Sequence, residues 1–184
     1  MTFTKEHLKN IPTYDLEELF LRPIEESDYL DMYDYGKDDE VTKMLSWSSF
    51  KEPLEAKEAI KKFFLTRPEN NLPSAHAIIH KATNKMIGTC DFPSVDWTSK
   101  TATLGYCMHR KYWKKGYMTK VVKALIPFAF DYLKLDAIKV QHHPDNIGSK
   151  KVILKCGFTY IDDVYNQSLN MTLPTYILTK EDVI

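Results

Sequence analysis

Eleven consecutive residues, His109-Arg110-Lys111-Tyr112-Trp113-Lys114-Lys115-Gly116-Tyr117-Met118-Thr119, have the types and order needed to hold a phosphorylated ligand. A β-rich segment runs through them into an amphipathic helix. The first amides of a helix have no intrahelical acceptor and carry the positive end of the helix dipole, so a diphosphate can sit on them without a dedicated cationic side chain. Gly116 lacks a Cβ and lets backbone come close to such a group, while Lys114 and Lys115 add positive charge at the same place. On its own this stretch reads equally well as a loop with a solvated lysine face. A second segment downstream shifts the balance: Asp145-Asn146-Ile147-Gly148-Ser149-Lys150-Lys151-Val152-Ile153-Leu154-Lys155-Cys156-Gly157-Phe158, which follows the strand-like Ala137 to Gln141.

The elements that must position these residues can be read from hydrophobic periodicity. Asp15 to Ile24 alternates as a first strand, Ser27 to Tyr35 has helical spacing, and Glu52 to Phe64 is an amphipathic helix with Leu54, Ala59, Ile60, Phe63 and Phe64 as its buried stripe. Ser74 to His80, Met86 to Phe92 and Ala102 to Met108 read as an antiparallel meander broken by turn-forming residues. After Gly116, residues Val121, Val122, Leu125, Ala129 and Leu133 share one helix face, and Pro127 is expected to kink or loosen it. Ile147 to Cys156 is the next helix, with Gly157 as its C′ residue, and Phe158 to Val164 with Met171 to Thr179 closes the chain as a strand pair. The alternation predicts one α+β domain over residues 1–184, three-layered around a mixed, mostly antiparallel sheet.

Together these segments resemble the GNAT acyl-CoA N-acyltransferase superfamily, in the branch of the ribosomal-protein alanine N-acetyltransferases. Leu104-Gly105-Tyr106 with Tyr112 to Tyr117 is similar to that branch's glycine-tyrosine strand and tryptophan-containing diphosphate turn. Asn146, Ser149, Val152, Lys155, Gly157 and Phe158 are similar to its asparagine-bearing helix, and Leu19 to Ile24 with Glu26 and Asp28 to its opening strand. The resemblance implies acetyl-CoA as cosubstrate. Its diphosphate would lie on the amides of Lys114, Lys115, Gly116, Tyr117, Met118 and Thr119, its pantetheine arm beside Asn146 and Ser149, and its acyl carbonyl on the amides of Met108 and His109. No metal is implied, and dimers are common in the family.

The implied chemistry is direct acyl transfer from a thioester to a neutral primary amine. It needs a proton acceptor, donors for the developing oxyanion and a proton or dipole for the departing thiolate. Many relatives place a glutamate two residues before the glycine-tyrosine pair; here that residue is Thr103, which cannot act as a base at neutral pH. The position at which some members carry a proton-donating tyrosine is Ile153, and Met118 replaces a small residue. The remaining catalytic candidates are Asp91, Tyr106 and His142, against the plainer readings of turn residue, packing residue and loop residue.

Composition narrows the class. Lys+Arg 25 against Asp+Glu 25 gives no net field to attract nucleic acid or an anionic membrane. The three cysteines, at 90, 107 and 156, have no metal-site spacing and cannot all pair, which suits reduced thiols in the cytoplasm. No apolar signal core or membrane-length run is present. The acceptor stays open. The acidic cluster Asp28, Asp31, Asp34, Asp38, Asp39 and Glu40 suits either a cationic amine or a solvated helix face. Trp47, Phe50, Trp97 and Tyr165 suit either an acceptor pocket or ordinary packing, and lysines 120, 123, 150, 151 and 155 either an adenosine phosphate or solvent. A protein N-terminal α-amine leads, followed by a polyamine or aminoglycoside, with a noncatalytic acyl-CoA-binding module as the alternative from another class.

Overall fold

Apolar residues that alternate along each strand, and recur at helical spacing between strands, bury two clusters on opposite faces of one sheet. The computed structural model describes residues 3–167 and 169–183. Its strands are β1 (Tyr14–Leu16), β2 (Leu19–Pro23), β3 (His76–His80), β4 (Lys85–Asp96), β5 (Thr101–Met108), β6 (Ala137–Gln141), β7 (Thr159–Asn166) and β8 (Met171–Thr179). They form an eight-stranded sheet in the order β1-β2-β3-β4-β5-β6-β8-β7. Every neighbouring pair is antiparallel except β5 and β6, which run parallel from Thr101↔Ala137 to Leu104↔Val140. The helices are α1 (Lys5–Lys9), α2 (Tyr29–Gly36), α3 (Asp39–Thr42), α4 (Pro53–Ala59), α5 (Tyr117–Pro127) and α6 (Ile147–Lys155). On one face α5 and α6 cover a cluster that includes Cys90, Leu104, Met108, Val121, Leu125, Ile138 and Ile153. On the other, α2 and α4 cover Met32, Tyr35, Ala56, Ile60, Ala77 and Met86. Each fully buried aliphatic side chain contributes roughly 1.5–3 kcal/mol, so the two clusters dominate stability. This is the three-layer α+β arrangement the periodicity implies. Among the described residues no helix is long and apolar enough to cross a membrane.

Two elements differ from the sequence reading, and a third follows it. Asp15 to Ile24 is two strands, because Glu17 takes φ 42° and folds β1 back onto β2. The helix from Pro53 passes into a π-helical turn over Ile60–Phe64, and its longer period rotates Phe63 off the buried stripe. Phe63 is consequently exposed, as is Leu54 at the start of α4, while Ile60 makes the expected contact together with Ala56. At Pro127 the helix loosens, as the sequence reading expects, without stopping. The ring removes one helical hydrogen bond and the chain continues as a π-helical turn over Phe128–Tyr132 that keeps Phe128, Ala129 and Phe130 buried.

The N-terminal segment is pinned to the sheet by a buried imidazole. His76, in β3, donates from Nε2 to the Pro12 carbonyl at 3.0 Å and meets Phe128 edge-on. Burial pushes its pKa down from 6.5 to about 4. Because the folded value lies below the unfolded one, this site is neutral in the native state and costs stability as pH falls below about 6.5. A shift of that size implies a loss of roughly 2 kcal/mol between pH 7.5 and pH 5. Urea denaturation at the two pH values should show it, and His76→Asn, which keeps a donor but cannot titrate, should flatten the dependence by that amount.

Candidate functional site

The parallel pairing of β5 with β6 ends at Leu104↔Val140, whereas β5 continues alongside β4 as far as Gly88↔Met108. Residues Gly105 to Met108 therefore border an opening between the two parallel strands. The His109 amide donates to the Ile87 carbonyl at 2.7 Å. In an antiparallel ladder the amides alternate in direction, so those of Tyr106 and Met108 point away from β4, into the opening. This corrects one expectation. Met108 can offer its amide to a ligand there, but the His109 amide is already used inside the sheet. The Met108 carbonyl, on the same side, accepts from Trp113 Nε1 at 2.7 Å.

Gly88, which the sequence reading passed over, permits this geometry. A Cβ at Gly88 would lie 2.2 Å from the Cys107 carbonyl oxygen and 3.0 Å from the Met108 Cα. Only a residue without a side chain lets β4 approach the end of β5 that closely.

Beyond the opening the chain makes a tight turn into α5. Lys114 has φ 64° and Gly116 φ 78°, and Gly116 is the N-cap of α5 with no side-chain cap bond. From Lys114 through Thr119, six consecutive amides have no hydrogen-bond acceptor among the described residues, and intrahelical bonding resumes with Lys120 donating to the Gly116 carbonyl. Six unpaired donors around a helix N-terminus form a concave anion site. A Cβ on Gly116 would meet nothing within 4 Å, so the site is open to a ligand. Met118, in place of a smaller residue, turns its side chain into the core and leaves its amide free.

Lys114 holds the left-handed conformation despite its Cβ, at a cost of about 1 kcal/mol. Lys114→Gly should accordingly raise unfolding free energy by up to about 1 kcal/mol, measured by urea denaturation. Its effect on acetyl-CoA affinity separates the ammonium group's contribution from that of the amide. Lys120 is not available to a phosphate: its ammonium bonds Glu17 and Glu18 at 2.8 and 2.7 Å, across from the β1–β2 turn. Lys115 lies over the Tyr112 ring.

The opening is bridged from α6. Asn146 caps that helix, its Oδ1 accepting from the Ser149 amide at 2.9 Å, which leaves its side-chain N–H groups for a ligand. Ser149 Oγ is 2.7 Å from the Tyr106 hydroxyl. Burial pushes the Tyr106 phenol well up, so it stays protonated at neutral pH and is a weak acid. His142 follows β6 and is buried; its Nδ1–H donates to the His143 carbonyl at 2.8 Å, and Nε2 lies 3.4 Å from the Tyr176 hydroxyl. It borders a cleft of about 620 Å³ between α6 and β7–β8, lined also by Ile147, Lys150, Tyr160 and Asp163. That cleft faces a different stripe of α6 from Ser149, and no hydrogen bond links His142 to Tyr106.

Asp91 lies on the opposite face, paired in register with Gly105. It is 7% exposed and Oδ2 accepts from Arg67 Nη2 at 2.8 Å. Burial pushes its pKa up despite the pull of Arg67. Thr103 and Gly105 alternate on one face of β5, so Asp91 puts a carboxylate on the side where Thr103 has none. The sequence candidates thus divide: Tyr106, His142, Asn146 and Ser149 on the α5–α6 side, Asp91 on the α2–α4 side, and the opening at Gly105 to Met108 between them.

The remaining groups take on structural roles. In the acidic cluster Asp28 pairs with Arg22, Asp31 accepts from the Met86 amide, and Asp34 pairs with Lys37. Asp38 pairs with Arg110, Asp39 accepts from Ser49, and Glu40 pairs with Lys43. Lys37 and, after it, His109 hold Asp34 below the usual carboxylate range. Trp47 and Phe50 stack 5.0 Å apart in the α2–α4 cluster, whereas Trp97 packs with Phe3 on the other side of the sheet and Tyr165 is exposed on β7. The four aromatics do not form one pocket.

Comparison with known proteins agrees with this geometry. Residues 18–159 match the family model described as an acetyltransferase (GNAT) domain. The chain is 32% identical over 142 residues to the uncharacterized N-acetyltransferase p20 of Bacillus licheniformis, covering 77% of this chain and 79% of that protein. Among solved structures it is similar to a putative ribosomal-protein-serine acetyltransferase from Vibrio cholerae. The TM-score is 0.79 at 20% identity, over 91% of this chain and 97% of that one. It is also similar to the spermidine N-acetyltransferase of Vibrio cholerae, solved with CoA and spermine, with TM-score 0.76 at 13% identity over 91% and 98% of the two chains. A free-amide turn, a parting of parallel strands and a family match over most of the length lead to one conclusion: this chain belongs to the GNAT family and is an acetyl-CoA-dependent N-acetyltransferase.

Proposed function

We propose that this enzyme acetylates a protein N-terminal α-amine in the cytoplasm. Acetyl-CoA supplies the activated acyl group. The amides of Lys114 to Thr119 hold its diphosphate, Asn146 and Ser149 border its pantetheine arm, and the Met108 amide polarises the acyl carbonyl. Asp91 takes the proton of the incoming ammonium, directly or through water, so that the amine is neutral when it attacks. Tyr106, hydrogen-bonded to Ser149, is the proton donor nearest the opening on the departing thiolate's side. His142, held by the His143 carbonyl beside Tyr176, supports the wall behind α6.

One observation favours an α-amine over a polyamine. Among the described residues each carboxylate of the cluster from Asp28 to Glu40 already bonds a group of the protein, four of them a cation, which leaves this cluster poorly suited to bind a chain of ammonium groups. The fold does not choose, since the putative ribosomal-protein-serine acetyltransferase and the spermidine N-acetyltransferase match it about equally well.

The test is calorimetric titration with acetyl-CoA and then CoA, followed by a thiol-release assay. Alanine- and serine-initiated peptides should exceed spermidine and aminoglycosides in kcat/KM by at least tenfold. A reversed ranking overturns the acceptor assignment. Tight acetyl-CoA binding with no turnover on any amine favours the noncatalytic module.

A further inference from the structure

Two arginine–aspartate pairs occupy the α2–α4 side of the molecule, one half-buried and one buried, and they are built differently. Arg22 binds Asp28 through both nitrogens, Nη1 to Oδ2 at 2.8 Å and Nη2 to Oδ1 at 2.6 Å, while Nη1 also donates to the Pro23 carbonyl. Asp28 Oδ2 further accepts from the Glu25 amide, so this carboxylate uses both oxygens within the protein. Such saturation is expected of an ion pair whose role is to hold β2 to α2.

Arg67 and Asp91 are both buried, at 8% and 7% exposure, yet they share a single hydrogen bond, Nη2 to Oδ2. Arg67 is fixed by two further contacts: Nε donates to the Phe63 carbonyl at 3.2 Å, and the guanidinium lies 5.2 Å from the centre of the Phe64 ring. Its Nη1 is enclosed and has no partner among the described residues. Asp91 Oδ1 accepts no hydrogen bond from any described residue. It lies 3.1 Å from the point where Gly105 would carry a Cβ, so the absent side chain makes room for it on the strand that borders the opening. A bidentate pair would be the more stable arrangement here. This pair instead leaves one carboxylate oxygen uncommitted beside the reacting end of β5.

We infer that Arg67 is the positioning residue for proton transfer: it grips Asp91 by Oδ2 alone and so presents Oδ1 across Gly105 to the acceptor amine. The inference rests on Asp91 as proton acceptor. Arg67 also stabilises the charged carboxylate against its burial, and the other titratable groups bearing on Asp91 are Cys90, Cys107 and Tyr35. All three are thiols or a phenol that burial pushes up, so they stay neutral near pH 7. Arg67 is then the only nearby positive charge among the described residues that sets how readily Asp91 gives up its proton.

The experiment pairs carboxyl NMR of protein labelled with 13C-aspartate with the pH profile of acetyl-CoA turnover on an alanine-initiated peptide. In Arg67→Gln the Asp91 titration midpoint should rise by at least one pH unit, and the acidic limb of kcat/KM should move with it. The KM for acetyl-CoA should change less than twofold. Arg67→Lys, which keeps the charge but cannot reproduce the planar grip, should leave the midpoint within half a unit and lower kcat about fivefold. It also serves if the glutamine variant does not fold. An Asp91 midpoint unmoved in Arg67→Gln, or wild-type kcat in Arg67→Lys, overturns the role of Arg67. Wild-type turnover in Asp91→Asn instead overturns Asp91 as proton acceptor, so the two failures are distinguishable.

Discussion

Gly116→Val should weaken acetyl-CoA binding by about a hundredfold, a loss of about 2.7 kcal/mol. No collision causes this, since a Cβ at Gly116 meets nothing within 4 Å. The cause is the backbone, because φ 78° is a conformation that a β-branched residue strongly resists. Relaxing it rotates the peptide planes on either side and re-aims the amides between Lys114 and Thr119. Each hydrogen bond to a charged group is worth roughly 1.5–3 kcal/mol, so losing one or two accounts for the effect. Gly116→Asn is the control, since asparagine tolerates the left-handed region, and it should bind within about threefold of wild type. Calorimetric titration of the three proteins decides the matter. Normal binding by Gly116→Val would place the diphosphate elsewhere.

This result bears on what the sequence made legible. The turn was readable because one short segment contains the strand, the glycine and the start of the helix, and local chemistry determines how its amides point. The strands themselves were readable for the same reason, since alternation from Ala102 to Met108 and from Ala137 to Gln141 is a property of contiguous residues, whereas the insertion of β8 between β6 and β7 was not. What escaped depends on contacts between residues distant in sequence. That the His109 amide is consumed by Ile87 follows from the β4–β5 register, and the need for glycine at 88 follows from the approach of Cys107. Arg67 carried no signal, since an arginine after Thr66 and before Pro68 looks like any loop residue until Asp91 is found 2.8 Å away. Likewise Lys120 reads as directed at either a phosphate or solvent until Glu17 and Glu18 are seen across from it, in a hairpin turn that alternation alone merges into one strand. Phe63 was misassigned because a constant helical period was assumed through a stretch that changes period at Ile60.

Asp91→Asn should reduce kcat by two to three orders of magnitude while changing the acetyl-CoA dissociation constant less than threefold, by roughly 3–4 kcal/mol and under 0.7 kcal/mol respectively. The size follows from the role, since a positioned general base contributes about 10²–10⁴-fold and asparagine preserves shape but cannot take a proton. The sign of the pH dependence follows from the environment. Burial raises the Asp91 pKa above the ordinary carboxylate value against the pull of Arg67, so wild-type kcat/KM should fall as pH drops through that raised value. In Asp91→Asn the same acidic limb should be missing from the residual activity. Removing the carboxylate also leaves the Arg67 charge buried without its partner, which costs stability by about 3–5 kcal/mol. Folding and cofactor binding must therefore be measured beside turnover. Intact acetyl-CoA binding with lost turnover isolates the proton-transfer role. A variant that keeps wild-type kcat and an unchanged acidic limb would reduce Asp91 to a structural counter-charge for Arg67, and water or the acceptor's own solution equilibrium would then supply the neutral amine.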